Sequence, residues 1–299
     1  DLTFNNISAT VYYPANNLTW TEEVMQDYGG DITWVAYSGE HVHEYDADHK
    51  CECGAIGGIC GENLTWMFDE ATGTLTISGT GDMGYFTDTA APWFNYREQI
   101  ETVVIQSGIT NVGGSAFIAC KNMTSVTIPD TVVSIEDNAF NRCDSLPHIT
   151  IPDSVTSIEE YAFGFCENLT SITIPNSVTN MGDNIFFYCQ NLSSVTIPDS
   201  VTSIGNGTFD GCENLTSITI PDSIENIGEY AFAACVKLTS LTIPDSVTSI
   251  ENHAFIGCES LLEVIVPDSV ISIGGNAFGG TAWIKAKIEE DPLVVVSRI

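Results

Sequence analysis

Positive charge is what this chain has least of. Eight Lys and Arg stand against 40 Asp and Glu, a formal net charge of −32. Nucleic acid and anionic lipid both need basic patches, so that balance excludes them as partners. No run of 18 apolar residues occurs, so no membrane-inserting helix is expected. The opening "DLTFNNISATVYY" has neither the basic start nor the apolar stretch of a signal peptide, and reads as an excerpt of a longer multi-module chain or a processed one. No nucleophile motif such as G-x-S-x-G is present. His148 and His253 stand alone in different contexts, so the chain is expected not to be an enzyme.

What the chain has instead is a sentence said repeatedly. Phe117, Phe140, Phe163, Phe186, Phe209, Phe232, Phe255 and Phe278 are each 23 residues apart, and Pro129 to Pro267 keep the same step. A fixed period of this length marks a solenoid, in which each unit buries its core only against its neighbours. Within Glu213–Cys235, "LTSITI" alternates as a short strand, with Leu215, Ile218 and Ile220 inward and Ser217 and Thr219 outward. Pro221 and Asp222 end it, because proline lacks the ladder donor. Ile224 and Ile227 return to the core, and Ala231, Phe232 and Cys235 close the coil. No segment of the unit is long enough for a two-turn helix. Stacking would add one strand per about 4.8 Å, so about eight coils would span about 38 Å.

The text L-T-S-[IVL]-T-I-P-D-S-V-T-S-I-G-x-x-A-F-x-x-C, present from about Val103 to Phe278, resembles the BspA-type leucine-rich repeats of surface proteins from host-associated anaerobic bacteria. The resemblance implies a β-rich solenoid with a parallel sheet on its concave face, short strands or turns opposite and few helices. It also implies an extracellular or cell-surface location and a role in binding or adhesion. Residues 60–100 resemble the opening cap of such arrays. Leu64–Phe68 and Thr74–Ser78 would be a hairpin about "EATG", followed by a helical turn at "APWFNYREQI" with Trp93 and Phe94 over the core end. Residues 101–280 would be the array and 281–299 its closing cap. Residues 1–37 resemble the closing segment of a preceding array, and 38–59 a linker rich in His and Cys.

Seven of the ten cysteines fall one per repeat, at Cys120, Cys143, Cys166, Cys189, Cys212, Cys235 and Cys258. An odd number in a tight stack cannot all pair, so these read as reduced core thiols. The linker is different. His41, His43, Cys51 and Cys53 could supply the two histidines and two thiolates of a tetrahedral zinc site, although the spacing is not that of a usual Cys knuckle. The plainer reading is a polar linker whose cysteines are free or form one disulfide. No cofactor is otherwise called for.

Two ladders run along the array. Asp130, Asp153, Asp199, Asp222, Asp245 and Asp268 share one repeat position, with Asn176 in the gap. Carboxylates about 4.8 Å apart repel by about 0.9 kcal/mol per pair in water, and calcium would relieve that. Alternatively, Asp after Pro is turn chemistry, its side chain capping local backbone. The outward strand positions form the second ladder: Ser125 and Thr127, His148 and Thr150, Ser171 and Thr173, Ser194 and Thr196, Ser217 and Thr219, and Ser240 and Thr242. In leucine-rich repeats this face is the usual ligand platform, here without aromatic or Arg anchors. The plain reading is that Ser and Thr solvate an exposed sheet. The Asn-x-Ser/Thr sequons at Asn63, Asn122, Asn168, Asn191 and Asn214 read as turn residues. The expected partner is a protein or matrix ligand. The rivals are a spacer displaying other modules and a glycan-binding module of a fibre-degrading complex. All five Trp lie outside the regular coils, so sugar stacking would fall to the flanks.

Overall fold

The computed structural model describes residues 8–14, 31–37, 44–51, 54–87 and 90–290. The chain divides into two compact units, 1–57 and 58–299. In the first, Ser8–Pro14 and Asp31–Tyr37 pair in parallel, with Ser8 opposite Asp31. The offset between partners is therefore 23 residues, the step of the array itself. Further along this unit, Tyr45 bridges Cys51, and the Asp46 carboxylate accepts the backbone N–H groups of Asp48 and Lys50, at 2.9 and 2.8 Å.

The second unit starts with an antiparallel hairpin, Leu64–Asp69 with Thr74–Gly79. Gly73 in its turn has φ +63°, where a side chain would be strained. The alternating burial of Leu64, Trp66 and Phe68 against exposed Thr65, Met67 and Asp69 matches the pleat. Thr74–Gly79 then pairs in parallel with Thr102–Ile105, and that strand with Ser125–Thr127. The hairpin thus covers the first edge of the array. A 3₁₀ turn, Phe94–Tyr96, and buried Trp93 lie over the core.

The array makes about seven turns. The outward Ser/Thr strand gives one row of parallel pairs, including Ser171–Thr173 with Ser194–Thr196 and Ser240–Thr242 with Glu263–Ile265. Two-residue strands, six of the eight following a Pro-Asp turn, give a second row, in two runs of four. The Pro-Asp turn is closed by backbone: the Pro152, Pro221 and Pro244 carbonyls accept the N–H groups of Val155, Ile224 and Val247.

The first row is not the continuous sheet the repeat suggests. Ser125–Thr127 is followed by a coil in which His148 makes only an isolated bridge, and Ser217–Thr219 is not a strand either. Pro147 accounts for the first gap. Thr124 and Thr170 at the same repeat position donate to Glu101 and Pro147 one coil back, whereas proline has no N–H to give. Nothing in the sequence marks the second gap.

The third side, around the Ala-Phe pair, holds the coils together without strands. Tyr161, Phe163 and Phe165 donate their N–H groups forward to the carbonyls of Asp183, Ile185 and Phe187 in the next coil. The residues between them, Ala162, Gly164 and Cys166, donate back within their own coil to Glu159, Tyr161 and Phe163. That alternation needs two left-handed residues per coil, four apart. They are Tyr161 and Phe165 here, Asn138 and Arg142 one coil earlier, Gly207 and Gly211 two coils later. A non-glycine residue there costs about 1–2 kcal/mol. Three intercoil hydrogen bonds at about 1 kcal/mol each, with a buried phenylalanine at about 2–3 kcal/mol, exceed that cost.

The phenylalanines form the spine. Their rings stack at centroid spacings from 5.1 Å (Phe209–Phe232) to 5.8 Å (Phe163–Phe186), close to the strand repeat and inside the favourable range for offset stacking. Trp93 extends the stack onto Phe117 at 5.8 Å. Edge-on tryptophans close it: Trp66 against Trp93 at 6.0 Å and Trp283 against Phe278 at 5.0 Å. Trp283 belongs to the helix Ala282–Glu290.

Each cysteine serves the same spine. The Sγ of Cys143, Cys166, Cys189, Cys212, Cys235 and Cys258 donates to the carbonyl of the phenylalanine one coil back, at 3.0–3.3 Å. Cys60 and the seven array cysteines are free and buried. Burial pushes the Cys120 and Cys166 thiols up to about 12 and raises those of Cys143, Cys189 and Cys235 as well. Thr281 occupies the next position of this column. Its hydroxyl donates to the Phe278 carbonyl of its own coil at 2.8 Å and accepts the Ile284 N–H at 3.1 Å, so it caps the closing helix instead.

Candidate ligand surface

The twelve strand-face residues share one exposed side of the array. Ser125, Thr127, His148, Thr150, Ser171, Thr173, Ser194, Thr196, Ser217, Thr219, Ser240 and Thr242 are all exposed, while the residues between the Ser and Thr of each pair are buried or half-buried. Ser171 lies opposite Ser194 and Thr173 opposite Thr196. At the last coil the chemistry changes: Ser240 faces Glu263, and Thr242 faces Ile265, which is 63% exposed. Leu262 and Ile271 of that coil are also outward, at 64% and 87%.

Asp130, Asp153, Asp199, Asp222, Asp245 and Asp268 are exposed along the Pro-Asp turns. The expected side-chain capping is corrected by the structure. The turn is already closed by the proline carbonyl; the neighbouring serine makes a side-chain bond at Ser154, whose hydroxyl donates to the Val132 carbonyl at 2.6 Å, and at Ser200, which donates to the Val178 carbonyl, whereas the hydroxyls of Ser177, Ser223, Ser246 and Ser269 are buried without a partner. Among the described residues, no three His, Cys, Asp or Glu side chains converge as metal ligands. Of the zinc candidates, Cys51 is described and buried, whereas His41, His43 and Cys53 lie outside the described residues. The two array histidines remain apart. His148 is exposed, while His253 stacks on Tyr230 at 4.8 Å with its Nδ1 3.9 Å from the Glu229 carboxylate.

The sequon asparagines stack rather than cap. Asn214 Nδ2 donates to Asn191 Oδ1 at 2.8 Å, and Lys237 Nζ donates to Asn214 Oδ1 at 2.5 Å. Only Asn122 bonds backbone, its Nδ2 donating to the Glu98 carbonyl at 2.7 Å. Of the tryptophans, Trp66 and Trp93 are spent on the core, and the Trp93 indole N–H donates to the Ala116 carbonyl at 2.7 Å. Trp20 and the side chain of Trp34 lie outside the described residues.

The turn side carries a feature that reading the strand pattern misses. Its left-handed positions and the residue after each phenylalanine vary from coil to coil, and in two successive coils they carry four aromatics, Tyr161, Phe165, Phe187 and Tyr188. Phe187 meets Tyr161 edge-on at 5.7 Å, Phe165 at 5.3 Å and Tyr188 at 4.7 Å, and the Arg142 guanidinium sits 4.5 Å over Phe165. Asp210 follows Phe187 one coil on, and its half-burial raises its carboxyl to about 6. The signal was available: these columns differ between repeats whose other columns are nearly constant.

Short parallel strands, stacked 23-residue coils and an asparagine ladder define a leucine-rich-repeat solenoid. The family model for the BspA type leucine rich repeat region matches residues 90–200 and 179–293, in 6 copies, and the chain belongs to that family. Among solved structures, a leucine-rich repeat protein from Bacteroides ovatus is 22% identical, over 76% of this chain and 93% of that one, with a TM-score of 0.44. The leucine rich repeat protein of T. pallidum is 23% identical over 60% of this chain and 89% of that one, with a TM-score of 0.49. A leucine rich cell surface protein from Faecalibacterium prausnitzii is 20% identical over 75% of this chain and 98% of that one, with a TM-score of 0.41. No curated protein matches the chain. No helix among the described residues is long and apolar enough to cross a membrane.

Proposed function

We propose that this chain is a non-catalytic binding module of a bacterial cell-surface or secreted protein, presenting a rigid solenoid to a protein or matrix partner. The observation that carries the reading is the strand face. Twelve exposed residues at fixed repeat positions line one side of a core that is locked ring on ring, so a partner meets a pre-organised surface. The family resemblance to surface proteins and the absence of a nucleophile motif support the same view.

A second reading is favoured by the near-uniformity of that face: the array is a spacer that holds other modules away from the cell. One experiment separates them. Immobilised chain is challenged with matrix proteins, mucin and plant polysaccharides, with calcium and with chelator. Saturable retention of a protein is the expected result. Calcium dependence would implicate the Asp130–Asp268 ladder, and retention of polysaccharide alone would favour the glycan-binding alternative. Silence in all three classes from folded protein would establish the spacer. Zinc in the linker is tested separately, by metal content of the chain and of a His41→Ala variant.

A further inference from the structure

We propose that the aromatic patch of Tyr161, Phe165, Phe187 and Tyr188, with Asp210 at its margin, docks a basic side chain, an arginine or lysine, of a protein partner. The proposal rests on the binding reading above but not on the strand face as its site.

Four rings in mutual contact on the surface of a solenoid are not needed by its core. The buried spine runs through Phe163 and Phe186, and the patch lies outside it, with Tyr188 42% exposed. Nor does the backbone ask for aromatics here. Other coils place Gly207, Gly211 and Gly257, or Asn138 and Asn276, at the same left-handed positions, where they fit with less strain. Tyr161, Phe165 and Tyr188 hold that geometry against their own preference, all within two successive coils.

The chemistry of the patch selects a cation. Burial, and then the carboxylates of Glu160, Asp183 and Asp210, push the Tyr161 phenol up, so three acids act on one ring. Asp183 is engaged by the Asn206 N–H and side-chain amide, at 2.7 and 2.9 Å. No Lys or Arg among the described residues pairs with Glu160, Asp183 or Asp210. The patch already holds one guanidinium in the required manner, that of Arg142 over Phe165. Ring faces beside carboxylates that no cation among the described residues neutralises attract a second one by cation–π and charge. The net charge of −32 steers a basic partner towards the chain, and tyrosine anchors of this kind carry much of the energy of protein interfaces.

The test uses the whole chain and a short synthetic peptide alternating Arg and Ser, compared with Glu-Ser and Gly-Ser peptides at physiological salt. Two variants take residues that other coils carry at the same positions: Phe187→Ala, as in Ala233, and Tyr188→Gly, as in Gly211. Their thermal midpoints confirm folding. The Arg peptide is expected to bind saturably to the parent, and about tenfold more weakly to either variant. Thr202→Ala, at an exposed position outside both the patch and the strand face, should leave its affinity unchanged. Equal affinity in parent and aromatic variants would show diffuse attraction to a polyanion and overturn the proposal, as would binding of the Gly-Ser peptide equal to that of the Arg peptide. If a matrix protein is retained by the parent and both variants alike, the binding reading stands and this patch falls.

Discussion

The two sides of each coil solve the same problem differently. On the strand side, neighbours are joined by short sheets that lapse at His148–Thr150 and Ser217–Thr219. On the turn side, three forward hydrogen bonds join every pair of coils, from Ser115 donating to Asp137 through Gly257 donating to Gly279, with a stacked ring and a thiol beneath them. The strand side is nearly constant in sequence yet interrupted in structure. The turn side varies in sequence yet is uninterrupted. A contact built from backbone and one invariant ring leaves its outward residues free to differ, whereas the ladder of paired strands lapses twice, once where Pro147 lacks a donor.

That contrast can be broken from the turn side first. Phe186→Ala removes one ring from the middle of the stack and should cost about 3–5 kcal/mol, read as a lower denaturation midpoint. A loss no larger than that of a surface substitution would show that the rings do not bear the stability. Next comes the place where the turn side ends. Thr281→Ala loses the helix cap and the bond to the Phe278 carbonyl, and should cost about 1–2 kcal/mol in chemical denaturation. Thr281→Ser should recover most of it.

Asp210 sharpens the comparison through pH. Its carboxyl titrates at about 6 in the folded chain against the ordinary 3.8, because half-burial disfavours the charge. Below pH 3.8 it is neutral whether the chain is folded or not, and it costs nothing. Between pH 3.8 and 6 the unfolded carboxyl ionises while the folded one stays protonated, so stability falls across that window, and above 6 the full cost of the half-buried charge is present. Asp210→Asn should therefore melt higher than the parent at neutral pH and at the same temperature under acid conditions. An equal gain at both would locate the effect in packing. The smallest change is expected on the strand face, where Thr196→Ala should shift stability by no more than about 0.5 kcal/mol.

The columns of Phe, Pro, Cys and apolar strand residues made the solenoid and its register legible in the sequence, because each is a direct imprint of stacking on sequence. The left-handed pairs were not legible. Glycine announces such a backbone at Gly207 and Gly211, but Tyr161, Phe165 and Tyr188 adopt it with no local cue, held there by bonds to the next coil. The gap at His148 could be read from Pro147; that at Ser217 could not. On the candidate surface, the strand-face residues fell where the alternation put them. The aromatic patch escaped notice because its members are neighbours only across coils.

The handover from each cysteine to the phenylalanine before it has an evolutionary corollary. Every coil presents the same socket behind and the same plug ahead, and only Thr281 ends the series. A recombination event that duplicates or drops one whole unit therefore yields two intact junctions and leaves both caps unaware of it. The reach of this protein is in that sense a heritable count, adjustable in steps of one coil, rather than a shape to be reinvented.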